Sequence, residues 1–500
     1  MERPTSQADW QALRESLTLP SQAWIAGRAT AAQQQKTLAC VSPIDGQLLT
    51  QIARCDQADV DLAVTAARQA VNQSGWSDLA PEQRKQRLQR WADLIEAHQL
   101  ELALLETLDM GKPINFSLNV DLAGSVQALR WTAEAIDKWY GELAPTPGNQ
   151  LGLISREPLG VVAAIVPWNF PLLMATWKFA PALAVGNAVI LKPSERSPLT
   201  ALRVASLAQE AGIPDGIFQV VPGLGHEAGQ ALARHPDVDC IAFTGSTQIA
   251  KQLLIDAGQT NMKRVWLEAG GKSPNLIFAD APNLKKAAKV AAQAIAFNQG
   301  QVCTAGSRLL LEASIHDDFI DAVVTALQAW QPSHPLSPDT RAGALVDQAH
   351  LEQVLKYVAI GQAEGAQLRC GGQACLQDTG GSYMQPTLFA QVDADSRLAQ
   401  EEIFGPVLSV QRFETEAQAI ELANHSIYGL AAGVWTQDLS RAHRVARALK
   451  AGSVWVNQYD AGDMTAPFGG YKQSGIGRDR SLHAFEKYTE TKSTWIRLEV

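Results

Sequence analysis

Cys303 stands in NQGQVCTAG, residues 298–306, with glycines on both sides and no charged residue in the stretch. A thiol that only filled a core gap would be expected among Leu, Ile and Val. A reactive thiol needs open access and a lowered pKa, and this stretch has no Lys, Arg or His to lower it. Whatever activates Cys303 must come from elsewhere in the fold. The second residue of interest is Glu268, in LEAGGKSP (267–274), at the end of an apolar run and beside two glycines. Half-buried there, it is either a general base poised by desolvation or a cap of the following turn.

Other candidates sit where short apolar runs end. GLGHEAG places Gly223, Gly225 and Gly229 between IFQVV and a helix, either to approach a phosphate or simply to turn the chain. FTGSTQIA (243–250) repeats the arrangement, with Gly245 followed by Ser246, which can cap a helix or meet a pyrophosphate. In LKPSE (191–195), Lys192 and Glu195 are either a solvated pair or a ribose clamp whose carboxylate repels the 2′-phosphate of NADP. In PWNF (167–170), Asn169 offers an amide at the same edge, or is a plain turn residue.

The elements that must position these residues follow from periodicity. Residues 57–110 have apolar positions at helical spacing. From 159 onward, the apolar runs LGVVAAIV, NAVILK, GIFQVV, DCIAF and VWLE alternate with helical stretches, the pattern of a parallel sheet covered on both faces. A second alternating series begins after Glu268, through PNLIFAD, RLLLEASI, PTLFAQV and VLSVQRF. The expected fold class is therefore α/β, with a Rossmann-like cofactor domain (1–137 and 158–268) and a second α/β catalytic domain (269–478). Two β-prone stretches, 138–157 and 479–500, lie outside both series and read as protruding strands available to another subunit. A Pro-rich loop occupies 331–343, and no internal repeat is present.

Composition narrows the function. The 500 residues carry a net charge of −9, with 46% hydrophobic and 19% charged side chains. That balance argues against nucleic acid or an anionic membrane as partner, since either needs a cationic face. The opening MERPTSQADW has an early acid and no apolar run, and no apolar stretch approaches a membrane span, so a cytoplasmic protein is expected. Six cysteines without CxxC spacing suggest reduced thiols and no metal site.

Taken in order, PWNFP, LKPSE, FTGS, LEAGGK, GQVC, EEIFGPV (401–407) and PFGGYKQSG (467–475) resemble the aldehyde dehydrogenase superfamily over nearly the whole chain. GQVCTAGSRLLLE and DMTAPFGGYKQSGIGRD give the nearest likeness, to enzymes oxidising γ-glutamyl-γ-aminobutyraldehyde and related ω-amino or guanidino aldehydes. The resemblance implies Cys303 as nucleophile, at a strand-to-helix junction whose positive helix end holds the thiolate. It implies an oxyanion site from the Asn169 amide and the Cys303 backbone N–H, Glu268 as the base that activates water, and Lys178 in the proton network. NAD, favoured over NADP, would lie along Ile165, Trp168, Lys192, Glu195, Gly225, Gly229, Phe243, Gly245, Ser246, Glu402 and Phe404. A homodimer or homotetramer is implied as well.

Two departures from the family pattern stand out: Ala269 where LELGGK is common, and Asp479 where many members have a glutamate. The substrate tunnel is implied to be lined by Phe170, Met174, Trp177, Phe297, Val302, Thr304 and Phe468. Asp460 and Asp463 either favour a cationic tail at its mouth or belong to a solvated loop. The expected activity is NAD-dependent oxidation of an ω-amino, guanidino or γ-glutamylamino aldehyde to its acid, in amine breakdown. Succinate semialdehyde is disfavoured, because its carboxylate would want Arg or Lys at the mouth. A broad-range aldehyde dehydrogenase, an acylating dehydrogenase and a non-catalytic protein of the same fold are the other readings.

Overall fold

The structure, a computed structural model, describes residues 3–499. Five strands form the parallel heart of the first sheet, in the spatial order Phe218–Val220, Ala188–Lys192, Val161–Ile165, Cys240–Thr244 and Arg264–Glu268. Every residue of Val161–Ile165, Ala188–Lys192 and Cys240–Thr244 is buried, which is why these strands read as unbroken apolar runs rather than alternating ones. The helices Pro171–Ala184, Leu199–Glu210 and Thr247–Gly258 provide the crossovers. Pro171 starts the first of these, where a missing N–H costs nothing.

The register aligns the strand ends. Ile165 pairs with Lys192 and with Phe243, and Thr244 pairs with Glu268, so the loops that follow all emerge on one edge. From the central strand Val161–Ile165 the chain moves outward in one direction and then returns on the other side at Cys240–Thr244. The crevice at that reversal, beyond the strand C-termini, is where sheets of this type bind ligands.

Residues 269–273 lead directly into a second sheet of seven strands, in the order Gln367–Cys370, Thr387–Ala390, Val407–Phe413, Arg308–Glu312, Pro274–Ile277, Ala431–Trp435 and Ser453–Val456. All are parallel except the edge strand Gln367–Cys370. The chain then returns to the first sheet, where Gly475–Ile476 pairs antiparallel with the end of Arg264–Glu268.

The two stretches expected to protrude pair with each other within the chain. Thr489–Arg497, Gln150–Pro158 and Glu142–Ala144 make an antiparallel sheet with the long strand in the middle. Tyr140, Leu143, Trp495 and Ile496 are exposed on or beside it. The helical opening is present as Gln57–Gln73, Pro81–Ala97 and Gln99–Met110. A capping box of Asp56 and Asp59 starts it, and Gly111 in the left-handed region ends it. The sequence reading did not anticipate the hairpins ahead of it, Ala23–Ile25 with Arg28–Thr30 and Thr37–Val41 with Leu48–Ala53.

Candidate active site

A cavity of about 260 Å³ opens at the switch point between the two sheets. Trp168 and Asn169 reach it from the loop after Val161–Ile165, and Thr244, Gly245 and Ser246 from the end of Cys240–Thr244 and the loop that follows. Glu268 closes one wall from the end of its strand. Cys303, Glu402 and Phe404 face it from the second sheet.

Cys303 is presented by an unusual stretch of backbone. Asn298, Gln299 and Gly300 all lie in the left-handed region, so the chain coils back after the helix Leu284–Ala296. Gly300 is required there, because a Cβ would come within 2.2 Å of the Gly405 carbonyl. Asn169 donates its amide to the Gln301 carbonyl at 2.8 Å, and Asn298 donates to the Asn169 carbonyl at 3.0 Å. One proton of the Asn169 amide thus fixes the cysteine turn, leaving the other for the cavity.

The expected source of thiolate stabilisation is corrected by this geometry. Cys303 follows a helix and precedes the strand Arg308–Glu312, so its own helix presents the negative, C-terminal end. Burial, followed by the charges of Glu268, Glu402 and Asp460, pushes the thiol up, while the Thr304 backbone N–H pulls it down. The thiol is therefore protonated in this arrangement, and its reaction needs a base.

Glu268 is placed to be that base. Only 5% exposed, it keeps Oε2 without a partner, and burial together with the Asp479 charge pushes it up to about 8. Lys178, Lys487 and Arg478 oppose the shift. The two glycines that follow leave no room for a side chain unless Glu402 moves, and Gly271 faces fixed backbone. A Cβ on Gly270 would meet Glu402 Oε2 at 2.1 Å, and one on Gly271 would meet the Cys303 carbonyl at 2.3 Å. The Gly271 N–H donates to Glu402 Oε1 at 2.9 Å, and burial pushes the Glu402 carboxyl up to about 7.

Of the remaining cofactor candidates and Lys178, only Ser246 lines the cavity. Lys192 and Glu195 bond each other at 3.2 Å on the same sheet edge. Gly225 and Gly229 bound a turn after Phe218–Val220. Ile165 and Phe243 pack together with Ala269 in a small apolar cluster. Ser246 caps the helix Thr247–Gly258 through the Ile249 N–H at 3.3 Å. Lys178 is buried and bonds Asp479.

Met174, Trp177 and Phe468 line the cavity itself. Phe297, Val302, Thr304 and Asp460 line an adjoining space, and Phe170 stacks between Phe297 and the Lys112 ammonium, which is 4.0 Å from its ring. Thr304 donates to Asp460 at 3.3 Å. Asp463 lies elsewhere, its carboxylate held by the backbone N–H and hydroxyl of Thr465.

Thr244, His350, Arg196 and Arg480 were not singled out in the sequence. His350, on the helix Gln348–Ala363, bonds the Phe404 carbonyl at 2.8 Å and packs on Trp168, bracing Phe404 in a left-handed conformation. Arg196 lines the cavity and pairs with Asp347 at 2.9 Å; its position directly after LKPSE was the available signal. Arg480 stacks over Trp177 and Phe468, at 5.1 and 5.9 Å from their rings. The expectation of a tunnel mouth with carboxylates and no cation is thus corrected: an arginine stands among Asp460, Asp463 and Asp479.

Residues 30–494 match the family described as "Aldehyde dehydrogenase family". The chain is 57% identical over 492 residues to the NADP/NAD-dependent aldehyde dehydrogenase PuuC of Escherichia coli (strain K12), covering 98% of this chain and 99% of that one. It matches a mutant of the P. syringae indole-3-acetaldehyde dehydrogenase AldA, in complex with NAD+ and IAA, with a TM-score of 0.98 and 61% identity, over 99% and 100% of the two chains. It matches the γ-glutamyl-γ-aminobutyraldehyde dehydrogenase of Burkholderia cenocepacia with a TM-score of 0.97 and 55% identity, over 99% and 100%. A cysteine and a buried glutamate facing one cleft at the sheet's switch point, within a match spanning almost every residue, lead to one conclusion: the chain belongs to the aldehyde dehydrogenase family.

Proposed function

We propose that the protein oxidises an ω-amino, guanidino or γ-glutamylamino aldehyde to the free acid with NAD, as a cytoplasmic homodimer or homotetramer. The observation that carries the chemistry is Glu268, buried, unpartnered on one oxygen, pushed up to about 8 and sharing a cavity with Cys303. Glu268 accepts the thiol proton, the sulfur adds to the aldehyde carbon, and the oxyanion takes hydrogen bonds from the Asn169 amide and the Cys303 N–H. A nicotinamide dinucleotide, when bound, supplies the hydride acceptor. Once Glu268 has passed the thiol proton to solvent, it takes a proton from the water that adds to the thioester carbon, and the acid leaves as the C–S bond breaks and the sulfur departs as thiolate.

The residues present fit such a dinucleotide. Thr244 Oγ1 is buried on the cavity wall with no partner, and Glu402 offers its carboxylate in the cradle left by Gly270. Both are acceptors suited to sugar or amide protons. Lys192 and Glu195 would hold the second ribose, and the N-terminal turn after Ser246 the pyrophosphate.

For the substrate tail, the Asp460 carboxylate in the adjoining space offers an acceptor to an ammonium or amide N–H, which favours an amino or γ-glutamylamino aldehyde such as the one in the name of the Burkholderia relative. Arg480 and the Trp177 and Phe468 rings favour a second reading, a flat aromatic aldehyde such as the one in the name of the P. syringae relative. The test is NADH formation with 4-aminobutyraldehyde, its γ-glutamyl conjugate, indole-3-acetaldehyde and succinate semialdehyde at fixed NAD. The highest kcat/KM is expected for one of the first two. Preference for succinate semialdehyde would overturn the charge argument.

A further inference from the structure

Behind Glu268 lies a group of buried charges that the reaction just described leaves without a role. Asp479 is fully buried, and each of its oxygens bonds a different ammonium: Oδ2 takes Lys178, from the helix Pro171–Ala184, and Oδ1 takes Lys487, just after the helix His483–Glu486. Burial alone would raise the Asp479 carboxyl, but the two ammoniums outweigh it and hold it below the usual range. Lys487 is tied to the catalytic strand, since its carbonyl accepts from Trp266 Nε1 at 2.7 Å, two residues before Glu268. Its stem has room only because residue 477 is glycine: a Cβ there would press on Trp266 at 2.7 Å and on Lys487 Cδ at 3.3 Å.

We propose that Lys487 is a positioning residue for the reaction: with Lys178 it clamps both oxygens of Asp479, so that the buried group behind Glu268 carries a net positive charge and biases Glu268 toward its carboxylate form. The charge count is two ammoniums against one carboxylate. Adding ionised Glu268 brings the cluster to neutrality, the cheapest state for buried charges. Without Lys487, ionising Glu268 would leave the buried groups with a net negative charge, offset only by the half-buried Arg478. The effect acts through space, because Glu268 Oε2 has no hydrogen-bond partner. The charged groups facing Glu268 are Lys178, Lys487, Asp479, Arg478 and the Cys303 thiol. Cys240, pushed up to about 12 by burial, and Tyr488, pushed up further, stay neutral beside the cluster. The second lysine also answers the shortened acid at 479, whose reach is made up by a cation on each side.

The proposal rests on Glu268 acting as base, and the experiment separates the two. The kcat–pH profile is measured with propanal, which has no titrating group, at saturating NAD. Wild-type activity should climb with pH; a flat wild-type profile would sink the role of Glu268 and this inference with it. Given that climb, Lys487→Met should move its midpoint up by about one to two pH units and recover most of its rate at high pH, with Lys487→Arg close to wild type. Asp479→Asn, which removes the negative charge and keeps both ammoniums, should move the midpoint down. A merely structural Lys487 would lower the rate equally at every pH. That result, or Asp479→Asn shifting upward, overturns the proposal; should Lys487→Met fail to fold, the direction of the Asp479→Asn shift decides.

Discussion

As the proposed base, Glu268 must lose its proton before it can take one from water, so its environment should set the pH at which the enzyme works. A base pushed up to about 8 is mostly protonated at neutral pH, and turnover should rise as pH climbs through about 8 and then level off. Glu268→Gln should flatten that rise and cut steady-state kcat by roughly 10²–10⁴-fold, measured as NADH formation across pH 6–10. Cys303→Ala removes the only atom that can carry the acyl group and should lower turnover to the detection limit while NAD still binds, checked by protein fluorescence quenching. Glu195 is a gentler case. Exchanging its carboxylate for an amide in Glu195→Gln removes one like-charge repulsion, worth about 1.4 kcal/mol, and should raise the NADP-to-NAD ratio of kcat/KM about tenfold.

At the scale of elements, glycines decide where the strand ends can meet. Gly270→Ala places a methyl group 2.1 Å from Glu402 Oε2, so Glu402 must leave its cradle. The expected outcome is a raised KM for NAD and a loss of about 1–3 kcal/mol in thermal or chemical unfolding. Gly225→Ala, with nothing within 4 Å of the new methyl, should change stability by no more than about 0.5 kcal/mol. These elements were unequally legible in the sequence. Strands buried on both faces, such as VVAAI and CIAFT, announced themselves as apolar runs, and their ends located Asn169, Gly245 and Glu268. The hairpins before residue 57 did not, because strands of three to six residues with mixed burial are too short to leave a periodic signal. His350 and Arg480 were invisible for another reason: one comes from the first turn of a helix and the other from an irregular loop, and only tertiary packing brings them to Trp168 and Trp177. The environment of Cys303 was misjudged because the local sequence does not say which end of a helix it adjoins.

For the molecule as a whole, the small antiparallel sheet is the feature most in need of a partner. Its outer strands leave hydrogen-bonding edges open, and Leu143 and Trp495 are 68% and 61% exposed. Edges of that kind are normally covered or blunted, which supports the proposed assembly of subunits through them. Trp495→Glu should shift the mass in light scattering toward the monomer at micromolar concentration; an unchanged mass would place the subunit contact elsewhere.

The short pairing of Gly475–Ile476 with Leu267 and Glu268 stitches a segment that has already passed through the second sheet back onto the rim of the first. The two lobes therefore cannot swing apart like a clam without unzipping the backbone that seats the base. Cofactor and product must come and go through rearrangement of side chains and loops, over a frame that stays shut.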